Sequence, residues 1–291
     1  MPILPLSPLS ASLRRKVVAG ILLAALAVTA TACGKADRDT IVVGTKFDEP
    51  GIALRGPDGT MSGFDVDVAR YIVRQLGYRD DQIEWTEAHS ARRESLIGQE
   101  PGGRLECGQF ECTDKVTFIA ATYTITEGRK RKVDFAGPYL LTGQSLLVRV
   151  GNTDITGPES LRDDRRVCSI TGSTSAQRIT DDYPGAQLQQ LDTTSECVAA
   201  LRAGKADAVS TDEAILAGFA AQSPGDFKLV GKPFSEELYG IGLRLGDDEL
   251  RAKINDALAK MEAEGAWAAA FEKNLGASGL STPAPPALDR Y

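Results

Sequence analysis

An α/β chain folded as two lobes is what this sequence predicts, and three observations predict it. Short β-branched runs at 40–43, 116–120, 167–170 and 206–210 alternate with helical patterns, as layered α/β domains require. Apolar residues recur at helical spacing in Val66, Ala69, Ile72, Val73 and Leu76, and again in Leu250, Ile254, Leu258 and Met261, which marks two amphipathic helices. Extended segments near 144–150 and 229–238 can each pass between lobes. Residues 40–142 with 239–275 are therefore assigned to one lobe, 148–230 to the other, and 143–147 and 231–238 to two hinge strands.

The elements can be justified in order from the N-terminus. Arg14, Arg15 and Lys16 precede an uncharged apolar run, 17–30. That run is too short to span a bilayer and ends in the small residues Ala30, Thr31 and Ala32. Residues 1–32 thus read as an export signal and 33–39 as a tether. The ATACG order resembles a lipoprotein signal, which implies lipidation of Cys33; ordinary secretion with an inert Cys33 is the other reading, and the arginine pair is only a weak twin-arginine mark. Without residues 1–32 the chain carries 30 basic against 40 acidic residues, which argues against nucleic acid as a partner. No later stretch is long and apolar enough to span a membrane.

Five cysteines suit an oxidising compartment if Cys33 is the lipid site and the other four pair. Four cysteines allow three pairings; spacing favours Cys107 with Cys112, and Cys168 with Cys197. A metal half-site at Cys107 and Cys112 competes, but the single histidine, His89, and the remaining cysteines supply no second half. No metal and no cofactor is expected. Thr193 and Glu196 form a capping-box pattern before a helix that Gly204 can end. Residues 98–114 look like a Gly-rich insertion, and 276–291, with three prolines, like a solvated tail.

Several segments occur in an order that is similar to a known family: 41–46 (IVVGTK), 63–69 (GFDVDVA), 122–129 (TYTITEGR), 133–139 (VDFAGPY), 171–174 (TGST) and 207–212 (DAVSTD). Across about 40–275 the chain resembles the polar amino-acid solute-binding proteins of ABC importers, those for glutamate, aspartate and glutamine in particular. The resemblance implies a two-lobe periplasmic-binding-protein-like fold (type II) whose lobes close on an amino acid. It departs at the 98–114 insertion and at Thr117, where family members often carry an acidic residue.

An amino acid brings an α-carboxylate, an α-ammonium and a side chain into one buried cleft, and each must be paired. Arg129 stands where the family's carboxylate-binding arginine stands, a planar fork suited to that anion. Thr124 would add a hydroxyl from the same lobe; Ser173 and Thr174 would donate from the other, at a helix N-terminus. Asp212 would accept from the α-ammonium, helped by the Thr122 carbonyl, or would cap the following helix. Lys46 and Arg93, with Ser90 beside them, would select a distal carboxylate over an amide; each could instead be a solvated surface cation. Phe47 and Trp85 could pack on ligand methylenes or belong to the core. His89 could touch ligand or lie in a loop outside any site. Asp65 and Asp67 open a helix, where carboxylates favour the dipole, and read as structural.

The expectation is an exported monomer at the outer face of the cytoplasmic membrane, lipid-anchored, binding glutamate or aspartate for a membrane permease whose ATPase is a separate subunit. Binding of glutamine or asparagine, and a sensor passing its loaded state to a receptor kinase, are the alternatives. An exported enzyme is disfavoured: the sequence holds no GxSxG elbow, no HExxH helix and no GxxxxGK[ST] loop.

Overall fold

The computed structural model describes residues 40–97, 116–162 and 164–291. The export signal, Cys33, the tether and the 98–114 segment with Cys107 and Cys112 lie outside the described residues. In chain order the first elements are β1 (Ile41–Thr45), β2 (Asp48–Glu49), β3 (Ala53–Arg55), β4 (Met61–Ser62), α1 (Phe64–Gln75), β5 (Ile83–Glu87), α2 (Arg93–Ile97), β6 (Phe118–Ile119), α3 (Glu127–Lys130) and β7 (Asp134–Thr142). Next come β8 (Gln144–Arg149), β9 (Arg166–Ile170), α4 (Thr174–Asp182), β10 (Gln187–Leu191), α5 (Thr194–Arg202), β11 (Ala208–Asp212), α6 (Glu213–Gln222) and β12 (Phe227–Val230). The chain then returns through β13 (Glu237–Leu243) to α7 (Asp248–Ala263) and α8 (Ala266–Leu275).

Two five-stranded sheets result, ordered β5-β1-β6-β13-β7 and β10-β9-β11-β8-β12, with a small sheet β2-β3-β4 beside the first. In each large sheet three strands run parallel and the remaining pairings are antiparallel. Strand β13 enters the first sheet only after the chain has built the second, so the two lobes are joined by two crossings. These are Gly143 and residues 231–236. The crossings bond to each other: the Phe234 N–H donates to the Gln144 carbonyl (2.9 Å) and the Gln144 N–H to Ser235 Oγ (2.9 Å). A Cβ at Gly143 would fall on the Ser235 carbonyl oxygen, so the crossing admits only glycine. Residues 144–147 and 237–238, expected in the hinge strands, are paired within sheets.

The helical periodicities fall where the sequence places them. Val66, Ala69, Ile72 and Val73 are buried along α1, and Ile254, Leu258 and Met261 along α7. The first lobe's core is aromatic: the Phe64 ring meets Trp267 and Phe271 edge-on, each at 5.6 Å, and Trp267 Nε1 donates to the Tyr139 carbonyl (2.7 Å). Burying each such ring contributes about 1.5–3 kcal/mol. In the second lobe the capping box forms, with the Glu196 N–H donating to Thr193 Oγ1 and the Thr193 N–H to the Glu196 carboxylate. The Cys168–Cys197 disulfide ties β9 to α5.

Three expectations are corrected. The 116–120 run is strand only at Phe118–Ile119, yet Thr117 and Ala120 still donate to the Val42 and Gly44 carbonyls on β1. The 206–210 strand starts two residues later because Asp207 turns its carboxylate onto the Arg166 N–H and guanidinium, making Asp212 the last strand residue. The 276–291 tail is tethered rather than free: Leu280 and Leu288 pack on the core, Asp289 pairs with Lys130 (3.2 Å), and Tyr291 accepts from the Phe135 N–H.

Candidate functional site

Open α/β sheets present ligands at the carboxyl ends of their strands, and in both lobes those ends carry the residues singled out from sequence. Lys46 follows β1, Ser90 and Arg93 follow β5, Thr122 and Thr124 follow β6, Ser173 and Thr174 follow β9, and Asp212 ends β11. The lobes meet over these ends and enclose a cavity walled by Glu49, Ser90, Arg93, Thr122, Thr124, Ser173, Thr174, Ser175, Thr211 and Asp212, with Ile170 and Ile215 as its apolar floor. The space open to a water-sized sphere is about 20 Å³, room for roughly one water.

On the first lobe two cations are buried side by side. Lys46 is 3% exposed and donates from Nζ to Ser90 Oγ (3.0 Å); burial depresses its ammonium pKa while the Glu49 carboxylate opposes that fall. Arg93 is 2% exposed, with one guanidinium nitrogen donating to the Ala121 (2.9 Å) and Thr122 (3.1 Å) carbonyls. Its pKa is drawn down to about 10, by burial first and the Arg129 charge second, which leaves it a cation at neutral pH. Both Arg93 and Arg129 lie over the Tyr123 ring, at 4.2 and 5.0 Å, which favours holding two like charges close together. Lys46 and Arg93 are thus not solvated surface cations.

Thr122 sits in a left-handed conformation (φ 47°), costly for a β-branched residue. Its N–H donates to Asp65 Oδ2 (2.8 Å), and Asp65 Oδ1 takes the Tyr139 hydroxyl (2.8 Å). Asp65 is thus structural, as expected, though through this turn more than through the helix dipole. Burial lifts its pKa to about 6. Asp67 lies outward, paired with Lys273 (2.8 Å).

Arg129 is not on the cavity wall. Its guanidinium donates to the Thr124 carbonyl (2.7 Å) and, across the cleft, to the Gly172 carbonyl (3.2 Å). On the second lobe Ser173 Oγ caps α4 by accepting from the Ala176 N–H (2.9 Å), and Thr174 Oγ1 donates to Glu237 (2.9 Å). Asp212 makes no side-chain cap for α6. It accepts instead from Tyr239 (2.6 Å) and Ser175 (3.2 Å), and burial together with the Glu237 charge lifts its pKa to about 7.

Phe47, Trp85 and His89 do not line the cavity. Phe47 and Trp85 pack against the core beneath Arg55 and Arg70, and His89 faces Glu87 at 3.6 Å. Sequence reading missed Glu49, Ser175, Glu237 and Tyr239. Glu49 Oε1 accepts from Thr194 Oγ1 of the second lobe (3.0 Å), while the neighbouring Asp48 accepts from the Ser195 N–H (2.8 Å). Among the described residues no cluster of three or more His, Cys, Asp or Glu could hold a metal, and no helix is long and apolar enough to cross a membrane.

Two α/β lobes, twice connected and closing strand ends on a buried charged cleft, define a two-lobe periplasmic-type binding protein. The chain belongs to the bacterial extracellular solute-binding proteins, family 3, which its residues 112–277 match. It is 42% identical to the glutamate-binding protein GluB of Corynebacterium efficiens over 92% of this chain and 90% of that one. Identity to GluB of Corynebacterium glutamicum is 44%, over 86% of each. The ABC transporter glutamine-binding protein GlnH of Bacillus subtilis is 35% identical over 81% of each. Among solved structures, an ancestral arginine-binding protein bound to glutamine matches with a TM-score of 0.72 at 33% identity, covering 82% of this chain and 98% of that one.

Proposed function

We propose that the chain captures an acidic amino acid, glutamate or aspartate, between its closing lobes and presents it to the membrane permease of an ABC importer. The observation that carries this reading is the pair of buried cations, Lys46 and Arg93, on one lobe opposite the buried carboxylate of Asp212 on the other. A zwitterion with a second carboxylate complements all three. The distal carboxylate lies between Lys46, Arg93 and Ser90, and the α-ammonium meets Asp212. Arg129 exchanges its bond to the Gly172 carbonyl for the α-carboxylate, which Thr124 and the α4 N-terminus with Ser173 and Thr174 also approach.

A cavity of about 20 Å³ does not admit such a molecule, so the lobes part to take it up and close around it. Names of the relatives support the class: two glutamate-binding proteins and one glutamine-binding protein of an ABC transporter. Acylation of Cys33 would tether the exported protein, a monomer, to the outer face of the membrane. A glutamine reading has its own support in the carboxylate of Glu49, an acceptor on the same wall as Arg93.

Calorimetry on the exported chain with glutamate, aspartate, glutamine and asparagine tests the reading, with an acidic ligand expected to bind most tightly. Lys46→Ala should weaken glutamate far more than glutamine, since breaking a buried charge pair costs about 3–5 kcal/mol. Absence of binding by all four, or equal loss for both ligands in the variant, overturns it.

A further inference from the structure

Glu49 is 1% exposed and lines the cleft cavity with Ser90 and Arg93. One carboxylate oxygen, Oε1, is satisfied by the Thr194 hydroxyl at 3.0 Å. The other, Oε2, is buried with no hydrogen-bond partner. A buried polar atom left unpaired costs about 1–3 kcal/mol, more when charged, so a ligand atom that pairs it gains that much.

We propose that Glu49 is a specificity-determining residue of this site: its unpartnered Oε2 meets the distal group of the ligand, donating to a carboxylate when protonated and accepting from an amide when ionised. The inference rests on the acidic amino-acid reading above and deepens it. Charged and titratable groups facing Glu49 come from every side: Lys46 from the β1–β2 turn, Asp48 from β2 itself, Asp65 from α1, Arg93 from α2, and the phenols of Tyr139 on β7 and Tyr239 on β13. Burial outweighs the pull of Lys46, and the carboxyl holds its proton up to about 8. Below that value the wall offers Arg93 and an O–H, both donors, with the Lys46 ammonium bonded to Ser90 of the same wall, and glutamate fits. Above it an anion joins the wall, which repels the distal carboxylate of glutamate and attracts the amide N–H of glutamine.

Calorimetry of glutamate and glutamine at pH 6, 7, 8 and 9 tests this on the full chain, on Glu49→Gln and on Glu49→Leu, each shown to melt cooperatively. In the parent the glutamate-to-glutamine affinity ratio should fall by up to about tenfold for each pH unit above the Glu49 pKa. Glu49→Gln presents an uncharged side chain at every pH, so its ratio should change distinctly less over the same range. Lys46 titrates in all three proteins, so the difference between slopes is the readout; Asp212 faces the α-ammonium common to both ligands and cancels from the ratio. Glu49→Leu, which has no polar group to offer, should weaken glutamate at pH 6 by about tenfold. A parental slope in Glu49→Gln, or parental affinity in Glu49→Leu, overturns the proposal while the acidic amino-acid reading stands. A parent that binds neither ligand overturns both.

Discussion

The Tyr239 hydroxyl donates to the Asp212 carboxylate across 2.6 Å, and that bond joins β13 of the first sheet to β11 of the second. Glu237, two residues before the tyrosine, is also buried and takes the Thr174 hydroxyl from the opposite lobe (2.9 Å). Two acidic side chains therefore sit where the lobes meet, and closing the cleft removes both from water.

Proton binding should accordingly favour the closed form. Asp212 titrates at about 7 and Glu49 at about 8 in the closed arrangement, against about 3.9 and 4.3 for hydrated carboxyls. Between those limits the closed state holds protons that an open, hydrated cleft has released, so closure loses stability as pH rises. The contribution is whole below about 4 and gone above about 8. Small-angle scattering of the ligand-free chain should show a radius of gyration that grows from pH 5 to 8.5, and Asp212→Asn should flatten the rise. A radius independent of pH in the parent would contradict the linkage.

Gly218 offers a separate test of closure. It lies within α6 of the second lobe, and a Cβ there would land on the Pro50 carbonyl oxygen of the first. Alanine is the better helix former by about 1 kcal/mol, so Gly218→Ala should leave the melting of the second lobe unharmed. It should nevertheless block full approach of the lobes. The expected result is amino-acid affinity lowered by about tenfold or more, the loss of one good interlobe contact, with a ligand-saturated radius of gyration above the parent's. Parental affinity and radius would mean that this contact is not part of closure.

Much of this was legible in the sequence because periodicity and strand ends are local signals. The buried stripes of α1 and α7, the Thr193–Glu196 cap, and the strand-end positions of Lys46, Arg93 and Asp212 each follow from short stretches of chain. Glu49 was not legible: it belongs to a two-residue strand in a Gly- and Pro-containing turn, and its burial depends on Thr194, 145 residues away. Tyr239 and Glu237 were hidden for a related reason. Glu237 lies on the stretch read as hinge and Tyr239 just beyond it, and only the tertiary pairing of β13 with β7 aims them at the cleft. Trp85 and Phe47 misled in the opposite sense, since an aromatic after or within a strand looks the same whether it faces core or ligand.

The Cys168–Cys197 bond should matter for closure as well as for stability. It spans 29 residues and fastens α5 to β9, both of them second-lobe elements. Chain-entropy loss in the unfolded state predicts about 3–4 kcal/mol for a loop of that length. Cys168→Ala with Cys197→Ala should therefore lower the unfolding free energy of the oxidised protein by that amount, read as a denaturation midpoint lower by that amount divided by the slope, and added reductant should bring the parent toward the variant. The first turn of α5 also carries Thr194 and Ser195, which reach Glu49 and Asp48 on the first lobe. A loosened α5 would hold those contacts less firmly, so the paired substitution should weaken ligand affinity by a few-fold, comparable to the loss of one modest hydrogen bond. A midpoint insensitive to reductant in the parent would show that the two sulfurs are not joined in solution, and the stiffness argued for α5 would fall with them.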